Sequence, residues 1–290
     1  MAGILADDMG LGKTLQALCA LAALGGPSLV VAPTSVLRAW EGEARKFLPQ
    51  LTVCVFHGAN RRMEDSADLV VTSYALLRQD ETLLEREWRC VVLDEAQAIK
   101  NPESQTARSA RRLRARYRFA LTGTPIENRL EELHAQLDFL MPGFLGSLRS
   151  FQERYARPIE HGDEQAAAAL RRRVRPFVLR RLKQEVAQDL PPRTDVVLRC
   201  ELPAPQREVY EVVRHAARSQ AKALVEGNRT MEALEHLLRL RQAACHPRLL
   251  PGETPDVSGK LSVLMEKLEE VIAEGHRALV FSQWTGFLDL

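Results

Sequence analysis

Ala6-Asp-Asp-Met-Gly-Leu-Gly-Lys-Thr14 closes a short apolar run, Ile4-Leu5-Ala6, and opens an apolar-periodic segment, Leu15, Leu18, Cys19, Leu21 and Ala22. The order is strand, tight glycine turn, helix start, which is the setting a phosphate-binding loop needs. Gly10 and Gly12 let backbone approach a phosphate with no side chain between. A helix beginning near Lys13 points free N–H groups and its positive dipole end at that anion. Asp8, Met9, Gly10, Leu11, Gly12, Lys13 and Thr14 are therefore the candidate nucleotide-binding set. Lys13 would reach the β- and γ-phosphates, and the Thr14 hydroxyl would ligate Mg2+. The general pattern G-x-x-x-x-G-K-[ST] asks for glycine at position 7, where this chain has Asp7. On these residues alone, a glycine turn before an ordinary buried helix stays open.

Bulk composition sets bounds. The 290 residues, 46% hydrophobic and 27% charged, suit about two globular domains. A net charge of +2 carries no message about partners. Five scattered cysteines with no C-x-x-C pair suggest neither a zinc site nor a disulfide framework, and so a reducing cytoplasm. No apolar run approaches the ~18 residues of a spanning helix, and Asp7, Asp8 and Lys13 rule out a signal peptide. The chain reads as cut: the phosphate loop follows Met1 closely, and 287–290 stop inside an apolar pattern without a cap.

Along the first half, strands are expected at 28–32, 51–56, 68–72, 90–94 and 118–121. Helices are expected after Pro33 (capped by Thr34 or Ser35), at 73–77, from Asn101-Pro102, and at 130–140. The alternation predicts an α/β fold, a mainly parallel sheet covered on both faces. Ligands bind such sheets at the carboxyl ends of the strands. The glycine loop, Asp94-Glu95 and Thr122-Gly123 all fall at that edge. An Asp ending an apolar strand can hold Mg2+, and Glu95 beside it can orient or deprotonate an attacking water. By itself an Asp-Glu pair reads equally as a solvated strand end; a phosphate loop about 80 residues earlier makes it a catalytic candidate. Thr122 and Thr124 could hydrogen-bond the Asp94-Glu95 turn.

Taken together, DDMGLGKT (7–14), APTSVLRAW (32–40), VTSYALL (71–77), DEAQ (94–97) and LTGTPIEN (121–128) resemble the Swi/Snf-type branch of the superfamily 2 helicase-like, DEAD/DEAH-box-like ATPases, most closely its bacterial members. Asp7 is ordinary in that family. Further stretches resemble it at 175–194, 238–247 and 258–287, so the likeness covers nearly the whole chain. The resemblance implies two RecA-like lobes with ATP and Mg2+ between them, and hydrolysis coupled to movement on duplex DNA without base specificity. It assigns phosphate contacts to Gly10, Gly12 and Lys13, Mg2+ to Thr14 and Asp94, and water activation to Glu95. Coupling between ATP and DNA falls to Gln97, Thr122, Gly123 and Thr124, and DNA-backbone contacts to Thr34, Ser35, Thr72 and Ser73. Gln97 stands where His is common in the family.

After the Gly143–Gly146 stretch helices dominate. The expected division is a RecA-like ATP-binding lobe over 1–143, a helical insertion region with a basic linker and one strand over 144–255, and the start of a second RecA-like lobe over 256–290. Residues 171–183 gather seven cations, which read as a solvated helix face and linker, while the resemblance implies a surface for DNA phosphates or for bracing the lobes. A strand is expected at 194–200, helices at 164–173, 206–225, 231–244 and from Leu261 to Ile272, a buried strand at 277–281, and a helix opening at 282–284. His246 before Pro247 reads as a helix terminator rather than a metal ligand. The leading expectation is a DNA-dependent ATPase motor, weakly active as this chain alone because the family motifs that the resemblance implies further on, including a second-lobe arginine at the γ-phosphate, are not among these residues. Its partners would be duplex DNA and a DNA-bound protein complex such as RNA polymerase, with no membrane, in the cytoplasm and on the nucleoid if bacterial. A non-catalytic DNA-binding or scaffold fragment and an RNA-directed motor stay open beside it.

Overall fold

The computed structural model describes residues 2–123, 129–186, 189, 194–226, 230–252 and 254–290, with side chains omitted over 220–233. Two compact units result, Met1–Pro192 and Arg193–Leu290.

The first unit is built on one sheet. Its strands are β1 (Ala2–Leu5), β2 (Ser28–Ala32), β3 (Val53–Phe56), β4 (Leu69–Ser73), β5 (Glu87–Leu93), β6 (Arg114–Leu121) and β7 (Val178–Leu179). They lie in the order β3-β4-β2-β5-β6-β1-β7, and every pairing is parallel. Side chains alternate faces along a strand, so a sheet covered on both sides needs apolar residues throughout. β2 and β4 nearly satisfy this: all five residues of each are buried, and the polar ones, Ser28, Thr72 and Ser73, have hydrogen-bonded hydroxyls. Leu29, Val31, Val91 and Leu93 pack on one face, where helices Tyr74–Gln79, Gln105–Arg112 and Leu130–Leu140 contribute Leu77, Ala107, Ala110 and Leu137. Val30, Ala32, Cys90 and Val92 pack on the other, against Leu18, Leu21, Trp40 and Ala44 of helices Lys13–Leu24 and Leu37–Phe47. Burial pushes the Cys90 thiol up to about 12, so it stays an uncharged core group.

Several expectations shift. The helix expected at Asn101-Pro102 starts at Gln105, because Ser104 is the cap that accepts from the Ala107 N–H (3.2 Å), while Asn101 Oδ1 accepts from the Glu103 N–H in a preceding turn (2.9 Å). β5 and β6 both begin earlier than their apolar runs, since Glu87–Arg114 and Trp88–Ala115 already pair in register. β7 has only two residues and carries no periodic signal.

The second unit is helical over Ala204–Glu226, Thr230–Cys245 and Gly259–Ala273. The strands expected at 194–200 and 277–281 do not form: both stretches lack a ladder partner among the described residues. Leu279 and Phe281 are 85% and 88% exposed rather than buried. A strand is stable only as part of a ladder, so apolar alternation alone does not make one. After Trp284 a single 3-10 turn, Thr285–Phe287, replaces the expected helix. His246 does end a helix, its Nδ1 accepting from the Arg248 N–H (3.1 Å).

Candidate functional site

Parallel register carries the motif residues to one edge. Leu5 is level with Leu121, Leu93 with Ala120, Val31 with Leu93, and Ala32 with Ser73. The segments that leave these strand ends are the glycine loop, Pro33-Thr34-Ser35, Tyr74, Asp94-Glu95 and Thr122-Gly123. All of them therefore emerge on the same side of the sheet.

In the glycine loop, Gly10 (φ 85°) and Gly12 (φ 72°) are left-handed, a conformation that strains other residues. Gly12 precedes helix Lys13–Leu24, and no side chain among the described residues caps its first amides. A Cβ built at Gly12 would meet nothing within 4 Å, so the space before that helix end is open. This is the arrangement that accepts an anion. The Lys13 ammonium donates to the carbonyls of Asp7 (2.7 Å) and Asp8 (3.3 Å), weak neutral acceptors that a phosphate can displace. Thr14 is half-buried at the first turn. Leu11 donates from its N–H to the Asp8 carbonyl (3.3 Å), and Met9, 70% exposed, lies over Gly123, where a Cβ would come 3.1 Å from Met9 Cγ. The loop and the end of β6 are thus neighbours.

Asp94 is held from three sides. Trp40 Nε1 donates to Oδ2 (2.7 Å), the Glu95 N–H donates to Oδ1 (2.9 Å), and the Tyr74 hydroxyl donates to the Asp94 carbonyl (2.7 Å). Burial raises the Asp94 carboxyl above the usual range, and the Glu95 charge adds to this; the Trp40 and Glu95 N–H donors and the Lys13 charge work against it. Burial and the same two carboxylates push the Tyr74 phenol well up, so it remains a donor.

Glu95 alone among the described non-glycine residues has a positive φ, 48°. Such strain persists where surrounding contacts impose it. Here Gln97 Nε2 donates to Glu95 Oε2 (2.7 Å), and Thr122 Oγ1 donates to Gln97 Oε1 (3.0 Å). The expected contact of Thr122 with the acidic turn thus runs through Gln97. Thr124 lies outside the described residues.

The four residues assigned to DNA contacts divide. Thr34 and Ser35 are exposed in the turn Thr34–Val36. Thr72 is fully buried with its hydroxyl donating to the Phe56 carbonyl (3.0 Å), and Ser73 is buried as the cap of helix Tyr74–Gln79. Both hydroxyls serve the sheet and its helix. Motif chemistry does not mark Trp40, Tyr74 or Arg181 as site residues. Trp40 and Asp94 are 54 residues apart, so no local spacing links them.

An apolar cavity of about 460 Å3 lies on the sheet face between β1, β7 and helix Lys13–Leu24, lined by Ala17, Ala20, Phe119, Leu121, Val178 and Leu179 among others. Its described lining carries no charged side chain, so it is not the phosphate site. A pre-formed cluster of three or more metal-ligating side chains is absent among the described residues. The open helix end, the exchangeable Lys13 and the restrained Asp94 fit a Mg-nucleotide.

Comparison with known proteins gives a consistent answer. Residues 1–249 match the SNF2-related domain. "Putative ATP-dependent helicase/translocase YwqA" of Bacillus subtilis is 38% identical over 97% of this chain and 33% of its own length. "ISWI chromatin-remodeling complex ATPase CHR11" of Arabidopsis thaliana is 34% identical over 99% of this chain and 30% of its own length. Among solved structures, the Sulfolobus solfataricus SWI2/SNF2 ATPase core in complex with dsDNA superposes with a TM-score of 0.64 at 38% identity, over 98% of this chain and 63% of that one. The sheet is the RecA-like one of that core. The chain spans about a third of the length of the curated relatives it matches.

Proposed function

Because the chain belongs to the SNF2-related domain family, we propose that it is the ATP-binding part of a DNA-dependent ATPase that moves on duplex DNA. The observation that carries the reading is the meeting, at one sheet edge, of an open helix end behind Lys13 with the restrained pair Asp94-Glu95. The backbone of 10–13 and the Lys13 ammonium bind the phosphates. Thr14 and Asp94 hold Mg2+, which when bound neutralises charge developing on the phosphates. Glu95 orients the attacking water and takes its proton. Thr122 and Gln97 set the Glu95 carboxylate, so a contact that moves the 122–123 turn moves the base. Thr34 and Ser35, exposed at the same edge, meet phosphates of the DNA backbone, contacts that carry no base information. For Thr72 and Ser73 the supported role is to position their strand and helix behind that surface.

The test is phosphate release by the full-length protein carrying this chain, with duplex DNA, single-stranded DNA or RNA added. Duplex DNA should stimulate most. Glu95→Gln should lower turnover by about 100-fold or more while ATP still binds, and Lys13→Ala should abolish ATP binding. Turnover retained in Glu95→Gln would refute the assignment. Stronger stimulation by RNA would favour the RNA-directed motor.

A further inference from the structure

Behind the phosphate loop lies a support that itself meets no phosphate. Asp7 is 0% exposed, and a carboxylate withdrawn from water is costly unless paired and hydrogen-bonded. Its partner comes from 174 residues away. Arg181 Nε donates to both Asp7 oxygens (3.1 and 3.1 Å), Arg181 Nη2 donates to Oδ2, and the Arg181 N–H donates to Oδ1 (3.0 Å). Nη2 also donates to Gln16 Oε1 (2.6 Å), and Gln16 Nε2 donates to the Leu11 carbonyl (2.9 Å) inside the loop. One guanidinium therefore grips the loop at its entry directly and at its middle through Gln16.

The backbone runs the same way. The Ala6 N–H donates to the Leu179 carbonyl (2.7 Å), the Asp8 N–H to the Arg181 carbonyl (3.1 Å), and the Lys183 N–H to Asp8 Oδ2 (3.0 Å). The Lys183 side chain lies so close over Gly10 that a Cβ there would sit 3.1 Å from its Nζ. The short strand β7 thus continues as a brace along the loop. The planar guanidinium fork puts two nitrogens, Nε and Nη2, on the Asp7 carboxylate while Nη2 also serves Gln16, a geometry that a single ammonium nitrogen does not reproduce.

We propose that Arg181 is a positioning residue for nucleotide binding: acting through Asp7 and Gln16, it holds the phosphate loop in its binding shape before the nucleotide arrives. The inference rests on the ATP-binding reading above. Asp7, where other phosphate loops carry glycine, then serves as the loop's point of attachment. Pre-organisation removes an ordering cost from binding, so losing the brace weakens affinity without removing any phosphate contact.

The test is equilibrium titration of the 290-residue chain with a fluorescent ATP analogue in Mg2+, with the thermal midpoint recorded for each variant. Arg181→Ala should raise Kd about 10-fold or more, within the range that a misplaced binding group costs. Arg181→Lys should raise it less, because it keeps a charge beside Asp7. Asp7→Asn/Arg181→Ala should bind no worse than the weaker single variant, the signature of one acting through the other. A lowered midpoint with unchanged Kd would make Arg181 a purely structural tie and overturn the proposal. Where Arg181→Ala does not fold, Arg181→Lys decides by the same criterion, and failure of both to fold also overturns it. If wild type shows no binding that Lys13→Ala removes, the ATP reading itself fails; if wild type binds and Arg181→Ala binds equally, only this inference fails.

Discussion

Two carboxylates at the carboxyl edge of the sheet answer to burial in opposite ways. Asp94 is raised because burial outweighs the Trp40 and Glu95 N–H donors. Asp7 is lowered: burial pushes it up, but Arg181 and Gln16 more than offset that. The signs have different consequences. Asp7 contributes stability above its unfolded pKa that is lost as pH falls through its lower folded value. Ionised Asp94 costs stability, and that cost grows as pH rises from its unfolded value through its higher folded value. Mg2+ needs the ionised form, so Mg-ATP affinity should fall with acidification above the ordinary aspartate range. Trp40→Phe deletes the donor to Asp94 Oδ2 and should move that fall to higher pH, seen in Kd measured across pH. An unshifted profile would mean that Trp40 only packs. Lys13 and Asp94 are legible as site residues from motif chemistry; Trp40 and Arg181 are not, because their partners are far away in sequence.

Elements divide by whether their signal is local. Helices Lys13–Leu24 and Leu130–Leu140 and strands β2 and β4 lie close to where the apolar pattern puts them, since a covered parallel strand is mainly apolar. The start of Gln105–Arg112 differs from expectation because Asn101 closes a separate turn and Ser104, three residues later, accepts from the Ala107 N–H as the cap. Ser104→Ala should therefore cost about 1 kcal/mol and speed amide exchange in this helix, whereas Asn101→Ala should leave its exchange nearly unchanged. Equal effects would place the cap elsewhere. β7 has no sequence signature because two residues hold no period, and its existence depends on β1 beside it.

At the scale of the whole molecule, the first unit is an α/β sandwich with the candidate site at one sheet edge, and the second is helical. The second unit leaves Leu279 and Phe281 in solvent. Exposed apolar side chains of this kind promote association. Leu279→Ser/Phe281→Ser should reduce concentration-dependent light scattering of the 290-residue chain and leave its Mg-ATP affinity unchanged. Undiminished scattering would mean that another surface drives association. Among the described residues, no helix is long and apolar enough to cross a membrane.

Residue order by itself determined the alternation of strands and helices, the glycine loop and the acidic strand end, because each depends on neighbours within a few positions. Tertiary structure alone decided that 277–281 is no strand here, that Thr72 and Ser73 are buried, that Thr122 reaches Glu95 through Gln97, and that Arg181 pairs with the Asp7 carboxylate. Each of these is a pairing across many residues, and pairing is settled by which groups share a dry space once the chain has folded.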